Sequence, residues 1–187
     1  MNRILLIVLL FAAGCLTACQ KSEEYGSVQY KAQAKADDDT LARFIETHGL
    51  SGIAKHVQNN DTIGVYYIVI NQGLGPTLYN NATQITVGDT GKLITGAMIT
   101  NLSLAEPVFY RTDSIHPSYS FGDMILGWQL GIPEVNAGGE VRLLIPSRYA
   151  YGHYAQKDLV GGDSTLSRGL PPNAILDFTI RLYDVTN

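Results

Sequence analysis

Residues 174–185, AILDFTIRLYDV, alternate apolar and polar residues over a length that suits one long half-buried strand. Similar runs precede it. TIGVYYIVINQG (62–73), TQITVGDTGKLI (83–94), read as interrupted at Gly88-Asp89 and Gly91, and EVRLLIP (140–146) are rich in β-branched and aromatic residues and bounded by glycine or asparagine. Shorter β candidates are GAMITNLS (96–103) and EPVFYRTD (106–113). In this region only MILGWQLGI (124–132) has a different pattern: a short, nearly all-apolar run holding Trp128 between Gly127 and Gly131. Such a chain can fold only as a largely antiparallel sheet packed on one short helix, an α+β class. Glycine costs about 1 kcal/mol against alanine inside a helix, so the two glycines beside the one tryptophan call for a close approach of backbone. Leu126 and Leu130, four apart, are read as core.

The segment before the sheet has three parts. Residues 1–18 carry Arg3, an apolar run from Ile4 to Ala13 and small residues before Cys19, the form of a signal peptide and too short for a membrane span. Leu16-Thr17-Ala18-Cys19 resembles a bacterial lipobox, which makes Cys19 the expected lipidation site and removes Cys15 with the leader. No disulfide is then possible. Cleavage takes the net charge from −4 to −5, because residues 1–18 hold Arg3 and no acid. Residues 19–37 are polar and read as a flexible lipid-anchored linker. Within it, CQKSEEY resembles the surface-export signals of some Bacteroidetes-type lipoproteins. Residues 38–58 read as a helical segment: Asp39 or Thr40 as N-cap, Leu41, Phe44 and Ile45 on one face, and Gly49 as C-terminal stop. The sequence therefore places the protein in the bacterial envelope, held to a membrane through its N-terminal lipid.

Chemistry-bearing motifs are few. His48, His56, His116 and His153 are scattered, with no HExxH, GxSxG or phosphate loop. No metal or cofactor is expected, and an isoelectric point near 5.5 without a basic stripe argues against nucleic acid. Tyrosine is abundant, 11 against 5 Phe and 1 Trp, which suits either β-strands or a partly open binding surface. On the residues alone, Ile125, Trp128 and Phe178 read as core.

Four blocks change that reading: VGDTGKLITG, FGDMILGWQLGI, AGGEVRLLIPSRYAYG and GLPPNAILDFTIRL. In this order and spacing they resemble the FKBP-type peptidyl-prolyl cis-trans isomerases, in a divergent form similar to Bacteroidetes lipoproteins. The resemblance implies an FKBP-like domain over residues 62–187, an antiparallel sheet wrapped around one short helix and preceded by the N-terminal helix. It implies isomerisation of X–Pro bonds in proline-containing polypeptides, as a folding helper for envelope proteins. It also implies roles for residues. Trp128 matches the pocket floor, Met124 and Ile125 the aliphatic pair before it, with the Ile125 N–H bonding the peptide. Tyr151 matches a hydroxyl donor, Phe178 a pocket aromatic, Tyr119 a rim aromatic and Leu170 an aliphatic residue before the double proline. Three positions depart from the family pattern. Asp89 stands where the family has a pocket tyrosine. Ile99 and Thr100 stand for a pocket phenylalanine and aspartate, and Asp89 is the candidate to take over the aspartate's part. An altered wall leaves open a second reading, a peptide-binding, chaperone or interaction lipoprotein with little or no turnover. The sequence does not fix an oligomeric state.

Overall fold

The computed structural model describes residues 26–75, 79–94, 108–112, 115–157 and 169–187. The chain divides into two compact units, Met1–Tyr30 and Lys31–Asn187. All the elements below belong to the second, apart from the opening turn of the first helix. The expected signal peptide and Cys19 lie outside the described residues.

Helix α1 is Ser27–Thr47, followed by strands β1 Lys55–His56, β2 Tyr66–Asn71, β3 Gln84–Ile94, β4 Val108–Arg111 and β5 Ser118–Ser120. The short helix α2, Leu126–Gly131, comes next, then β6 Glu140–Ile145 and β7 Ile175–Thr186. The strands form one sheet in the order β1-β2-β6-β7-β3-β4, with β5 also on β3, and every pairing is antiparallel.

β3 and β7 pair along their whole length, Gln84 with Thr186 through Ile94 with Ile175. Gly88-Asp89 and Gly91, expected to interrupt β3, lie within it. Alternation sends Ile85, Val87, Asp89 and Gly91 to one face. A register shift opposite Thr86/Val87 lets both Val185 and Leu182, three apart on β7, enter the same core.

That inner face packs on α2. A Cβ on Gly127 would lie 2.4 Å from Cγ2 of Ile145, and one on Gly131 would lie 2.3 Å from Cδ2 of Leu143. The glycines are therefore where the helix meets β6. Leu126 is 55 % exposed rather than core: a helix this short has one buried side, and its glycines and Trp128 occupy it. Gly127→Ala is expected to destabilise the fold by about 1–2 kcal/mol in urea titration, overpacking at a stiff β-branched side chain outweighing the gain in helix propensity. Gly131→Ala should cost less, because the flexible ends of Leu143 can turn away.

The outer face is covered by α1, where Leu41, Phe44 and Ile45 pack with Ile68, Ile94, Leu144 and Ile175. Gly49 (φ +67°) ends the helix, with Leu50 N–H donating to Ile45 C=O at 2.8 Å and Gly49 N–H to Glu46 C=O at 3.1 Å, a Schellman closure. Two expectations are corrected. Residues 27–37 are not a linker, since α1 starts at Ser27 and Asp39 and Thr40 lie inside it. The stretch has little apolar content, yet its Ala, Lys and Gln residues are strong helix formers, and Lys35 pairs with Asp39 one turn on at 2.8 Å. The helical reading to residue 58 also fails, because Lys55–His56 pair with β2.

Candidate functional site

A cavity of about 230 Å³ opens where the N-terminal end of α2 faces β3, β4 and β7. Trp128, only 5 % exposed, supplies its floor. The indole meets Phe178 of β7 edge-on, with centroids 5.2 Å apart at 90°, and Phe178 meets Phe109 of β4 at 5.5 Å and 85°. These are favourable quadrupole geometries. Gly91 makes room for them, as a Cβ there would sit 2.6 Å from the Phe109 ring and 2.7 Å from the Phe178 ring.

Met124 and Ile125 form the edge beside the floor. They follow the 3₁₀ turn Phe121–Asp123, and the Gln129 side-chain amide ties this junction to α2 by donating to Gly122 C=O at 3.1 Å and Met124 C=O at 2.7 Å. Ile125 is the N-cap. Its carbonyl accepts from Trp128 N–H at 2.9 Å, while its own N–H precedes the helix, among those with no intrahelical acceptor.

Tyrosines line the opposite side. Tyr110 and Tyr119 hydrogen-bond through their hydroxyls at 3.0 Å, and Tyr151 comes from the turn after β6. Burial raises the Tyr151 hydroxyl above the ordinary tyrosine range, helped by the charges of Asp89 and Tyr119. Burial likewise raises Tyr110 and Tyr119, with the Tyr110 hydrogen bond partly opposing the rise at Tyr119. All three remain neutral hydrogen-bond donors at physiological pH.

Asp89 is the anomaly. Its residue is 4 % exposed, it lines the cavity, and neither carboxylate oxygen has a hydrogen-bond partner among the described residues. Its backbone is held: Thr112 Oγ1 accepts from Asp89 N–H at 2.8 Å, and Thr112 N–H donates to Asp89 C=O at 3.0 Å. Desolvation pushes the carboxyl up from 3.8 to about 7. The Trp128 indole N–H is also buried without a partner among the described residues, so the site holds both a donor and an acceptor that none of them satisfies.

The structure thus brings Asp89, Tyr119, Met124, Ile125, Trp128, Tyr151 and Phe178 to one cavity. Leu170 is not part of it. It is buried in the adjoining core, held by a two-way backbone bridge to Gln156, with N···O distances of 2.7 and 2.9 Å. Ile99 and Thr100 fall outside the described residues. Phe109, Tyr110 and Asp123 also line the cavity, and sequence reasoning does not single them out. The β3–β4 register slips between Gly91 and Lys92, and this bulge brings the adjacent Phe109 and Tyr110 to the same site, which strict alternation forbids. Their only signal in the sequence is the aromatic pair itself.

The family model for FKBP-type peptidyl-prolyl cis-trans isomerase matches residues 75–183. The Escherichia coli (strain K12) FKBP-type peptidyl-prolyl cis-trans isomerase FkpA is 30 % identical over 162 residues, covering 84 % of this chain and 52 % of that protein. Saccharomyces cerevisiae FK506-binding protein 1 is 29 % identical over 116 residues, covering 62 % of this chain and 88 % of that one. The chain spans about half the length of the first curated relatives it matches. A peptidyl-prolyl cis-trans isomerase crystal structure from Pseudomonas syringae pv. tomato superposes with a TM-score of 0.58 at 21 % identity, covering 84 % of this chain and 96 % of that one, a likeness of fold. With the family match spanning more than half of its length, the chain belongs to the FKBP-type peptidyl-prolyl cis-trans isomerase family.

Proposed function

We propose that this protein accelerates cis–trans isomerisation of X–Pro bonds in polypeptides, with the cavity over Trp128 as its active site. The observation that carries this reading is the aromatic corner of Trp128, Phe178 and Phe109 enclosing about 230 Å³. The cavity's apolar lining of Trp128, Phe178, Phe109, Met124 and Ile125 suits a proline ring. A proline ring on the Trp128 face leaves the preceding carbonyl near the tyrosine hydroxyls.

The reaction makes and breaks no covalent bond. Its barrier, about 18–20 kcal/mol for peptide bonds generally, is the lost amide resonance of the twisted imide. The twisted form carries less charge separation than either planar form, so an apolar enclosure favours it. Walls that hold the ring while the acyl side turns bind it better than the ground states. Tyr151 donates a hydrogen bond to the turning carbonyl. Asp89, protonated below about pH 7, is a second neutral donor, whereas its ionised form brings a negative charge against a carbonyl oxygen. That charge favours the alternative reading, a pocket that holds proline-containing or apolar segments with little turnover.

The proposed setting is the bacterial envelope, with residues 1–18 removed and Cys19 lipidated. Its support is the Arg3 and Ile4–Ala13 pattern with the Leu16-Thr17-Ala18-Cys19 box. Among the described residues no helix is long and apolar enough to cross a membrane. Cys19→Ala is expected to abolish incorporation of labelled palmitate and to release the protein from the membrane fraction. Unchanged labelling would remove the lipoprotein assignment. The clients would be envelope proteins whose folding waits on proline. Refolding of a protein limited by a proline-dependent slow phase tests this: the phase should shorten in proportion to added protein. Suppressed aggregation with an unchanged phase would favour the holding function instead.

A further inference from the structure

Asp37 lies midway along α1, in a largely polar stretch, and is completely buried. A buried carboxylate is costly unless its lone pairs are used, and here they are. Oδ2 accepts from Ser147 N–H at 2.9 Å and from Ser147 Oγ at 2.6 Å, and Oδ1 accepts from the Gln33 side chain at 2.7 Å. The next residue repeats the connection. Arg148 donates to Asp38 Oδ1 at 2.8 Å, to Ala34 C=O at 3.2 Å and to Ile63 C=O at 3.0 Å. Helix α1 therefore grips the first two residues of the 3₁₀ turn Ser147–Tyr149.

That turn carries Tyr151. The Ser147 carbonyl accepts from Ala150 N–H at 3.0 Å and Gly152 N–H at 2.9 Å, and Asn173 N–H donates to Gly152 C=O at 2.8 Å. The backbone on both sides of Tyr151 is thus referred to Ser147, and Ser147 is referred to Asp37. The backbone that carries the hydroxyl of the cavity wall is thus joined through Ser147 to the carboxylate on the outer helix.

We infer that Asp37 is a positioning residue for isomerisation: through Ser147 it sets the place of the Tyr151 hydroxyl in the pocket, so that α1 braces the site as well as covering the sheet. This rests on the reading of the cavity as an isomerase site with Tyr151 as carbonyl donor.

The test is a double-mutant cycle on the full protein, with kcat and KM for an X–Pro peptide measured separately and folding monitored by Trp128 fluorescence. Asp37→Ala is expected to lower kcat about tenfold, with KM changed little, as a donor displaced by a fraction of an ångström no longer serves the transition state. In a Tyr151→Phe background the same change should alter kcat less than about twofold. Asp37→Asn, which keeps an acceptor for the Ser147 N–H, should recover most of the loss. Should Asp37→Ala fail to fold, Ser147→Ala, which removes only the hydroxyl bond, carries the same cycle with a smaller effect. Two results overturn the inference while leaving the isomerase reading intact: a loss of stability with kcat unchanged, or losses from Asp37 and Tyr151 that multiply. If Tyr151→Phe alone leaves kcat unchanged, the donor reading has failed, and the inference fails with it.

Discussion

Asp89→Asn is expected to raise the free energy of unfolding at pH 8 by up to about 4 kcal/mol and to leave it nearly unchanged at pH 4. In the unfolded chain the carboxyl loses its proton near 3.8, and in the fold it keeps it to about 7. Between those values the folded state binds more protons than the unfolded state, so stability falls as pH rises. Above about 7 the full cost of burying the charge is present. Asparagine remains neutral throughout and preserves the shape, so its penalty is that of the protonated acid at every pH. Urea titrations of both proteins at pH 4, 6 and 8 check this, and parallel pH profiles would show that Asp89 finds a partner in solution. The same titration bears on catalysis. With Tyr110, Tyr119 and Tyr151 as its polar neighbours, the ionised form draws water toward the aromatic floor of the cavity. Isomerase activity is therefore expected to decline from pH 6 to 8 in the natural protein and to stay flat in Asp89→Asn.

Trp128→Leu is expected to lower kcat/KM by about thirtyfold, the equivalent of some 2 kcal/mol of transition-state stabilisation supplied by the indole ring. Leucine keeps part of the apolar volume, so the variant stays folded. Trp128→Ala, which also leaves a cavity in the core beneath Phe178, should cost about 3–5 kcal/mol of stability. Comparing the two separates packing from catalysis. If Trp128→Leu retained full activity, the indole would be core alone and the floor of the site would lie elsewhere. Because Trp128 is the one tryptophan in the chain, its fluorescence also reports directly on occupancy of the cavity.

Alternation made β7 legible from sequence, β-branched and aromatic runs made β2, β3 and β6 legible, and the paired glycines marked the contact between α2 and β6. What stayed hidden depends on distant partners or broken periodicity. The polar part of α1 looks like a tether because little in it is apolar; what ties it down includes the buried Asp37, whose partner Ser147 lies 110 positions away. Phe109 and Tyr110 reach one cavity only through a bulge opposite Gly91. Leu170 has the right chemistry for the pocket, but it is buried in the adjoining core, beside its backbone bridge to Gln156. Gly91 looked like an interruption of β3, whereas the space it leaves lets two phenylalanine rings meet inside the strand's own register.

The central claim is that the cavity over Trp128 turns X–Pro bonds rather than merely holding them. Exchange NMR on a short X–Pro peptide, with catalytic amounts of protein at pH 6, measures this without a coupled reaction. Uncatalysed interconversion takes tens to hundreds of seconds. The expected result is cis–trans exchange that rises linearly with protein concentration and falls in proportion to the Trp128→Leu defect. Peptide binding that shifts Trp128 fluorescence, with exchange left at its uncatalysed rate for every X–Pro sequence tried, would contradict it.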